Sequence, residues 1–344
     1  MTSAHSEFDE RGQLLAQWLG AHFNHHDWQM TPASADASFR RYFRVTQGGQ
    51  PWIAMDAPPA NEDVWPWLAI ARRLREAGVN APQVHAADTG QGFVLMQDFG
   101  DRWLLDALTE ATADTLYQQA MTALWRMQQA VPHTDLPVYD ESRLRQELDL
   151  FPEWFLQRHL GLELSAAQQQ QLEQLFELLV TQALAQPRVF VHRDYHSRNL
   201  LLTGSAELGI IDFQDAVSGP LTYDLVSLLK DCYVRWPVER VRGWLAEYHH
   251  RCASAGLCTG DRHTFQRWFD LMGLQRHLKV LGIFCRLYYR DGKAGYLNDL
   301  PRVLEYVVEC CQRYGATQPL GRWLSEVTAA VDIRQPRQSS GPDQ

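Results

Sequence analysis

Residues 189–215, VFVHRDYHSRNLLLTGSAELGIIDFQD, constrain this chain more than any other stretch. Two short apolar runs of strand type, Arg188-Val-Phe-Val191 and Leu208-Gly-Ile-Ile211, each break at once into polar residues. The first gives way to His192, Arg193, Asp194 and, five residues after Asp194, Asn199; the second gives way to Asp212 and Phe213. Carboxylate and amide groups at this spacing suit phosphoryl transfer. That reaction needs one carboxylate to orient the attacking hydroxyl and accept its proton, and oxygen ligands for Mg²⁺ from a neighbouring loop. Asp194 fits the first role, with Arg198 beside it as a second catalytic candidate, and Asn199 and Asp212 fit the metal-binding role. His192 is expected to brace the loop, because a base there would duplicate Asp194. His196 is placed to meet substrate or phosphate. Asp215 stays open between a secondary metal contact and an acidic substrate ligand.

The rest of the composition agrees with a small-molecule enzyme. A chain of 344 residues with 45% hydrophobic and 21% charged residues can bury the cores of two subdomains. A net charge of −9 argues against a nucleic-acid or anionic-membrane surface, which needs clustered Lys and Arg. The first residues, MTSAHSEFDERGQ, lack an apolar signal core, and no apolar run reaches membrane-span length, so a cytoplasmic location is expected. A monomer is expected as well. The six cysteines show no metal-ligand spacing and are expected to be buried thiols, and His22, His25 and His26 are expected to be surface histidines.

The motif VHRDYHSRNLL with IIDFQDA, followed by Gly219-Pro220 and Tyr223-Asp224-Leu225, resembles the aminoglycoside phosphotransferase superfamily of small-molecule kinases. Protein kinases also carry H-R-D and a later D-F-G, but Gln214 stands here where their glycine would be. SFRRYFRV (38–45), AMDAPP (54–59) and GLQRHLKVLGIFCRLYYRDGK (273–293) are similar to one branch, the anomeric kinases of N-acetylmuramate and N-acetylglucosamine in cell-wall sugar recycling. The resemblance implies an α+β, protein-kinase-like, two-lobed fold, with a small antiparallel-sheet N-lobe over residues 1–97, a larger, mainly helical lobe over 98–333, and a disordered tail from 334. It also implies ATP and Mg²⁺ as cofactors and an amino sugar as acceptor, phosphorylated at C1 to the α-1-phosphate. Asp224 is then a buried carboxylate fixing the catalytic loop, and Trp154, Arg276 and Arg286 are candidate sugar contacts. A kinase for aminoglycosides, choline, homoserine or methylthioribose is the nearest alternative, and a nucleotide-binding pseudokinase is a more distant one.

An opening helix over 9–27 should carry an apolar stripe at Leu14, Leu15, Trp18, Leu19 and Phe23. Two antiparallel strands, 39–45 and 51–56, should follow, joined at Gly48-Gly49, with 35–38 as a glycine-free phosphate loop in which Ser38 can donate. Aligned on the kinase V-A-I-K pattern, Ile53-Ala-Met-Asp56 puts Ala54 against adenine and Asp56 where a phosphate-binding lysine is usual. The helix after it lacks a central carboxylate to pair with such a lysine. An arginine on the adjacent strand, Arg40 or Arg44, is expected to substitute, with Asp56 open between a sugar contact and a second Mg²⁺. Strands at 84–87 and 92–96 lead to a hinge where backbone groups of Met96, Gln97 and Asp98 would meet the adenine edge. In the long helix 265–289 and just beyond it, Arg276, Lys279, Arg286 and Arg290 share one stripe, suited to the carboxylate of N-acetylmuramate.

Overall fold

The structure is a computed structural model that describes residues 9–23, 27–35, 39–204 and 207–336. It divides into two compact units: residues up to 104 together with 199–215, and 105–198 together with 216 onward. The small unit is therefore discontinuous, because the stretch carrying Asn199 and Asp212 returns to it. Ser38, His25, His26 and the end of the expected tail lie outside the described residues.

The small unit is built on a five-stranded antiparallel sheet in the order β1-β2-β3-β5-β4, from β1 (Trp28–Ala35), β2 (Arg41–Gln47), β3 (Gln50–Asp56), β4 (Val84–Asp88) and β5 (Phe93–Gln97). β1 is a strand the sequence reading does not anticipate. It contains Pro32, which a sheet edge tolerates, and its register shifts between Pro32 and Ser34. Gly48 and Gly49 close the β2–β3 hairpin with φ of 56° and 81°, the two-residue turn whose twist matches paired strands.

Helix α1 (Glu10–His22) covers one face of this sheet. Asp9 caps it by accepting from Gly12 N at 2.8 Å. Leu15, Leu19 and Phe23 pack with Phe43, Val45, Ala54, Phe93 and Leu95, whereas Leu14 is exposed. Because side chains alternate along a strand, the row Arg41, Phe43, Val45 and the row Trp52, Ala54, Asp56 all belong to the α1 face. Ile53 and Met55 belong to the other. Helix α2 (Trp65–Glu76) buries Trp67, Ile70, Ala71 and Leu74, none of which joins the α1 cluster.

The second unit is helical apart from one antiparallel pair, Arg188–Val191 with Val217–Pro220. The helix Arg262–Tyr289 runs through it and buries most of its residues on all sides. Pro152 enters a continuous helix, Glu141–Leu150 followed by a π-helical stretch Phe151–His159, where its missing N–H is tolerated. Gly282 lets the long helix cross there. A Cβ at that position would lie 2.3 Å from the Leu150 carbonyl oxygen. All six cysteines are free and buried, and no described helix is long and apolar enough to cross a membrane.

Strand parity corrects two expectations. Ala54 is fully buried in the α1 core, and Asp56, also fully buried, accepts from Arg11 of α1 and from Arg41 Nη2 at 2.6 Å. Arg41 also reaches Asp9 at 2.6 Å, which ties the helix cap to the sheet. Asp56 is thus a structural anchor facing α1, and both it and Ala54 lie on the face of β3 that α1 covers, with no exposed surface to offer a nucleotide. Removing a buried carboxylate that holds two guanidinium groups leaves Arg11 without a carboxylate partner among the described residues and Arg41 with Asp9 alone. Asp56→Ala is expected to lower the unfolding free energy, measured in urea, by about 3 kcal/mol, without changing nucleotide affinity at the midpoint-corrected folded fraction.

Candidate active site

In the helical unit, the strand ending at Val191 delivers a loop that is pinned at alternate places. The backbone N–H groups of His192 and Arg193 donate to the two oxygens of Asp224, at 2.7 and 3.0 Å. Tyr195 donates its hydroxyl to Ala120 O at 2.8 Å. Ser197 donates its amide and hydroxyl to Asp231 Oδ2, at 2.9 and 2.5 Å. Tyr195 and Ser197 are buried, so the intervening Asp194, His196 and Arg198 are turned to more accessible ground. Arg193 has φ of 76°, a left-handed conformation that costs a side-chain-bearing residue free energy and persists where its surroundings enforce it. The Asp224 carboxylate, accepting from the Arg193 amide and the one before it, supplies that enforcement. His192 Nδ1 accepts from the Asp194 amide at 3.3 Å, a brace within the loop.

Charge in this unit is organised around Glu147, which the sequence reading passes over. It accepts from Arg193 Nη2 at 2.7 Å, Lys279 Nζ at 2.8 Å, Gln275 Nε2 at 3.3 Å and the hydroxyl of Tyr139. Lys279 also donates to Tyr223 Oη at 3.0 Å. The sequence signal was a glutamate at a core position, between Leu144 and Leu148 on the buried stripe of its helix. Burial opposes ionisation of Asp194, but Lys279, His196, Arg276 and His192 outweigh it and hold its pKa below the usual carboxylate range. Burial holds the pKa of the neighbouring His196 down, favouring the neutral ring. Asp224 moves the other way. Its burial dominates over His192 and the two amides, and its pKa is pushed up to about 6.

Arg276 stands at this site and Arg286 does not. Arg276 is 4% exposed, lies 5.7 Å from the centroid of the Tyr223 ring, and interacts electrostatically with Asp194 and Asp231. Its Nε and the Nδ1 of His196 are buried with no hydrogen-bond partner among the described residues. Arg198 stacks on Tyr233 at 3.6 Å, and His196 meets the same ring edge-on at 5.3 Å. Arg286, ten residues further along the helix, instead feels Arg290, Asp291 and Glu153. Trp154 is half-buried on the π-helical stretch. The expected cationic stripe is therefore divided: Arg276 and Lys279 are buried, while Arg290 binds Asp291 at 2.8 Å.

In the small unit, Leu200–Leu202 pairs antiparallel with Leu208–Ile210, between Asn199 and Asp212, which are thirteen positions apart in sequence. Leu200 lies opposite Ile210, so the residues flanking these ends meet, and Asn199 Nδ2 donates to Asp212 Oδ2 at 3.2 Å. Gly209 is required by packing, since a Cβ there would come within 2.5 Å of the Phe99 ring. Asp212 has φ of 64°, and with Arg193 it makes up the positive-φ non-glycine residues among those described. Gln214 Nε2 donates to Asp212 Oδ1 at 3.0 Å and approaches the exposed Asp215 at 3.4 Å. No group of three or more His, Cys, Asp or Glu able to hold a metal occurs among the described residues. One carboxylate and one amide, both hard oxygen donors, fit Mg²⁺, which keeps much of its water and completes its shell with phosphate oxygens.

The expected nucleotide residues of this unit separate. Arg44 is engaged by Asp98, Nε to Oδ2 at 2.6 Å and Nη2 to Oδ1 at 3.2 Å, a bidentate pair that fixes the segment after β5 to β2. Arg44 is paired in register with Ile53, which is itself paired with Met96, so it belongs to the hinge end of the sheet and not to the β1–β2 turn. Met96 is buried on the face opposite α1, and the Gln97 amide donates to Gln83 O at 2.8 Å. Arg40, 8% exposed, forms an ion pair with Glu62 at 3.0 Å.

A sheet-based small unit, a helical second unit and this carboxylate–amide set define a kinase-like phosphotransferase. Residues 29–257 match the model of the phosphotransferase enzyme family, and the chain belongs to that family. It is 43% identical, over 94% of its length and 99% of the relative's, to the N-acetylmuramate/N-acetylglucosamine kinase of Pseudomonas putida. The protein of the same name in Neisseria meningitidis is 42% identical, over 94% of this chain and 98% of that one. Among solved structures, an ADP-bound aminoglycoside phosphotransferase APH(2'')-Ib aligns with a TM-score of 0.58 at 17% identity, covering 86% of this chain and 98% of that one. Choline kinase LicA from Streptococcus pneumoniae aligns at 0.62 and 10%, covering 88% and 100%. At such identities these two establish the fold alone.

The raised pKa of Asp224 has a defined sign. Between about pH 4 and 6 the native state keeps a proton that the unfolded chain gives up, so stability from this group falls as pH rises through that window. Measured against Asp224→Asn, wild type is expected to lose about 3 kcal/mol of unfolding free energy between roughly pH 4 and pH 6.5. Parallel curves for the two proteins would remove the assignment.

Proposed function

We propose that this chain transfers the γ-phosphoryl group of ATP to the C1 hydroxyl of N-acetylmuramate and N-acetylglucosamine, forming the α-1-phosphate in cell-wall sugar recycling. The observation that carries the reaction type is Asp194, held ionised on a loop braced by Asp224 and followed on the same chain by the Asn199–Asp212 pair. The acceptor rests on relatives of that name at 42–45% identity over most of the chain.

Asp194 orients the C1 hydroxyl and takes its proton as the new oxygen–phosphorus bond forms and the bond from phosphorus to the ADP oxygen breaks. Asn199 and Asp212 would hold Mg²⁺, which when bound neutralises charge on the phosphate oxygens. An ionised Asp194 is the form that can accept a proton, and its cationic neighbours set that state at neutral pH. Neutral His196 can orient a sugar hydroxyl, and Arg276 offers a buried donor beside the base to an uncharged or anionic acceptor. Cations in this position disfavour a polycationic acceptor such as an aminoglycoside.

The test is ADP release from Mg·ATP across a panel of amino sugars, aminoglycosides and choline, with phosphorus NMR on the product. A C1-phosphorylated N-acetyl sugar is expected, and turnover of a different acceptor would overturn the sugar assignment. Asp194→Asn is expected to lower kcat by roughly 10²–10⁴-fold while ATP binding by calorimetry is retained. Arg276→Ala is expected to raise the acceptor KM by about tenfold or more with an unchanged ATP dissociation constant, and Arg286→Ala to leave both near wild type.

A further inference from the structure

In kinases the phosphates of the nucleotide meet a lysine on the third strand, and a carboxylate of the next helix holds that lysine. Strand parity shows where an equivalent would stand in this chain. With Ala54 and Asp56 facing α1, the face of β3 turned away from α1 carries Ile53 and Met55, and Met55, fully buried there, has no charge to offer. The adjacent strand supplies one. Tyr42 is paired in register with Met55, and Arg40 continues the row of Tyr42 by one further pleat, beside the connection from β1 to β2.

Three observations single out Arg40. Its guanidinium is 8% exposed, far more buried than a solvated strand charge. Its Nε lies 3.0 Å from Oε1 of Glu62, three residues ahead of α2, in a turn where the Glu62 amide donates to Pro58 O at 3.0 Å. The first turn of α2 then packs Trp67 against Phe213, ring centroids 5.2 Å apart, and Phe213 follows the metal candidate Asp212. The arginines of β2 itself are committed elsewhere: Arg41 to Asp56 and Asp9, Arg44 to Asp98.

We propose that Arg40, oriented by Glu62, is the cation that receives the inner phosphates of the nucleotide, a strand-shifted replacement for the lysine–carboxylate pair. This rests on the reading of ATP as donor. A guanidinium carries five donors in a planar fork, so one residue can serve a carboxylate and a phosphate together, and the carboxylate removes the freedom that a long side chain would otherwise lose on binding. Glu62 is a positioning residue and Arg40 the one that meets the ligand.

The experiment is calorimetric titration of the full chain with adenosine, AMP, ADP and Mg·ATP. Wild type is expected to bind ADP and ATP more tightly than adenosine. Arg40→Ala should weaken ADP and ATP by roughly tenfold to a hundredfold and leave adenosine unchanged, with Arg40→Lys intermediate. Glu62→Gln should weaken the same nucleotides by a smaller factor. Wild-type ADP affinity in Arg40→Ala overturns the assignment, as does an equal loss of adenosine and ADP, which would mean a structural role. A wild-type protein that binds neither ADP nor ATP overturns the donor reading itself, an outcome separate from any effect of Arg40.

Discussion

Two hydrogen bonds donated by the amides of His192 and Arg193 to the Asp224 carboxylate are the constraint on which the rest of the candidate site depends. They hold Arg193 in a left-handed conformation that its side chain disfavours, and so reverse the chain direction just before Asp194. With Tyr195 and Ser197 tied inward and buried, Asp194, His196 and Arg198 are the less buried residues of this bent loop. Without a carboxylate at Asp224, two buried amides would lack acceptors, and the strained residue would have nothing to offset its cost. The raised pKa of Asp224 reflects the same arrangement: amides and a histidine stabilise its charge less than burial penalises it.

Asp194 and Glu147 show the opposite balance, and the difference is the company they keep. Glu147 receives Arg193 and Lys279 directly, so its pKa stays low despite burial. Lys279 and Arg276 then act on Asp194 through space, along with the two histidines. One ionic network thus fixes the position of Arg193 and the charge state of the base. A buried ion pair adds little net stability in general. Its effect here is on Asp194, which it helps to keep ionised, the state that the proposed role as proton acceptor requires.

What the sequence made legible is what chain-local spacing encodes. Asp194, Asn199 and Asp212 could be read because a hairpin of fixed length joins two of them, and a five-residue loop joins the third. The Gly48-Gly49 turn was readable for the same reason. Ala54 and Asp56 were misassigned because periodicity says which residues share a strand face but not which face α1 will cover. That depends on Leu15, Leu19 and Phe23, more than thirty residues earlier. β1 was missed because Pro32 reads as a strand breaker and is harmless at a sheet edge. Glu147 looked like an ordinary helix charge, and Lys279 like one member of a cationic stripe facing the acceptor. Only their meeting, 132 residues apart, makes them a pair.

A one-residue change of phase in a strand exchanges every side chain between its two faces. That rule explains how an aspartate can occupy the apparent lysine position without repelling a triphosphate: it points at α1, where Arg11 and Arg41 neutralise it. The cost falls on the opposite face, where Met55 leaves the phosphate side of β3 without a cation. An arginine one strand over restores the charge only if something else holds it, because it has lost the helix carboxylate that the usual lysine would use. Glu62, placed before the helix and not within it, is that partner. The missing lysine, the missing helix carboxylate and the aspartate in the motif are therefore three consequences of one shift in strand phase.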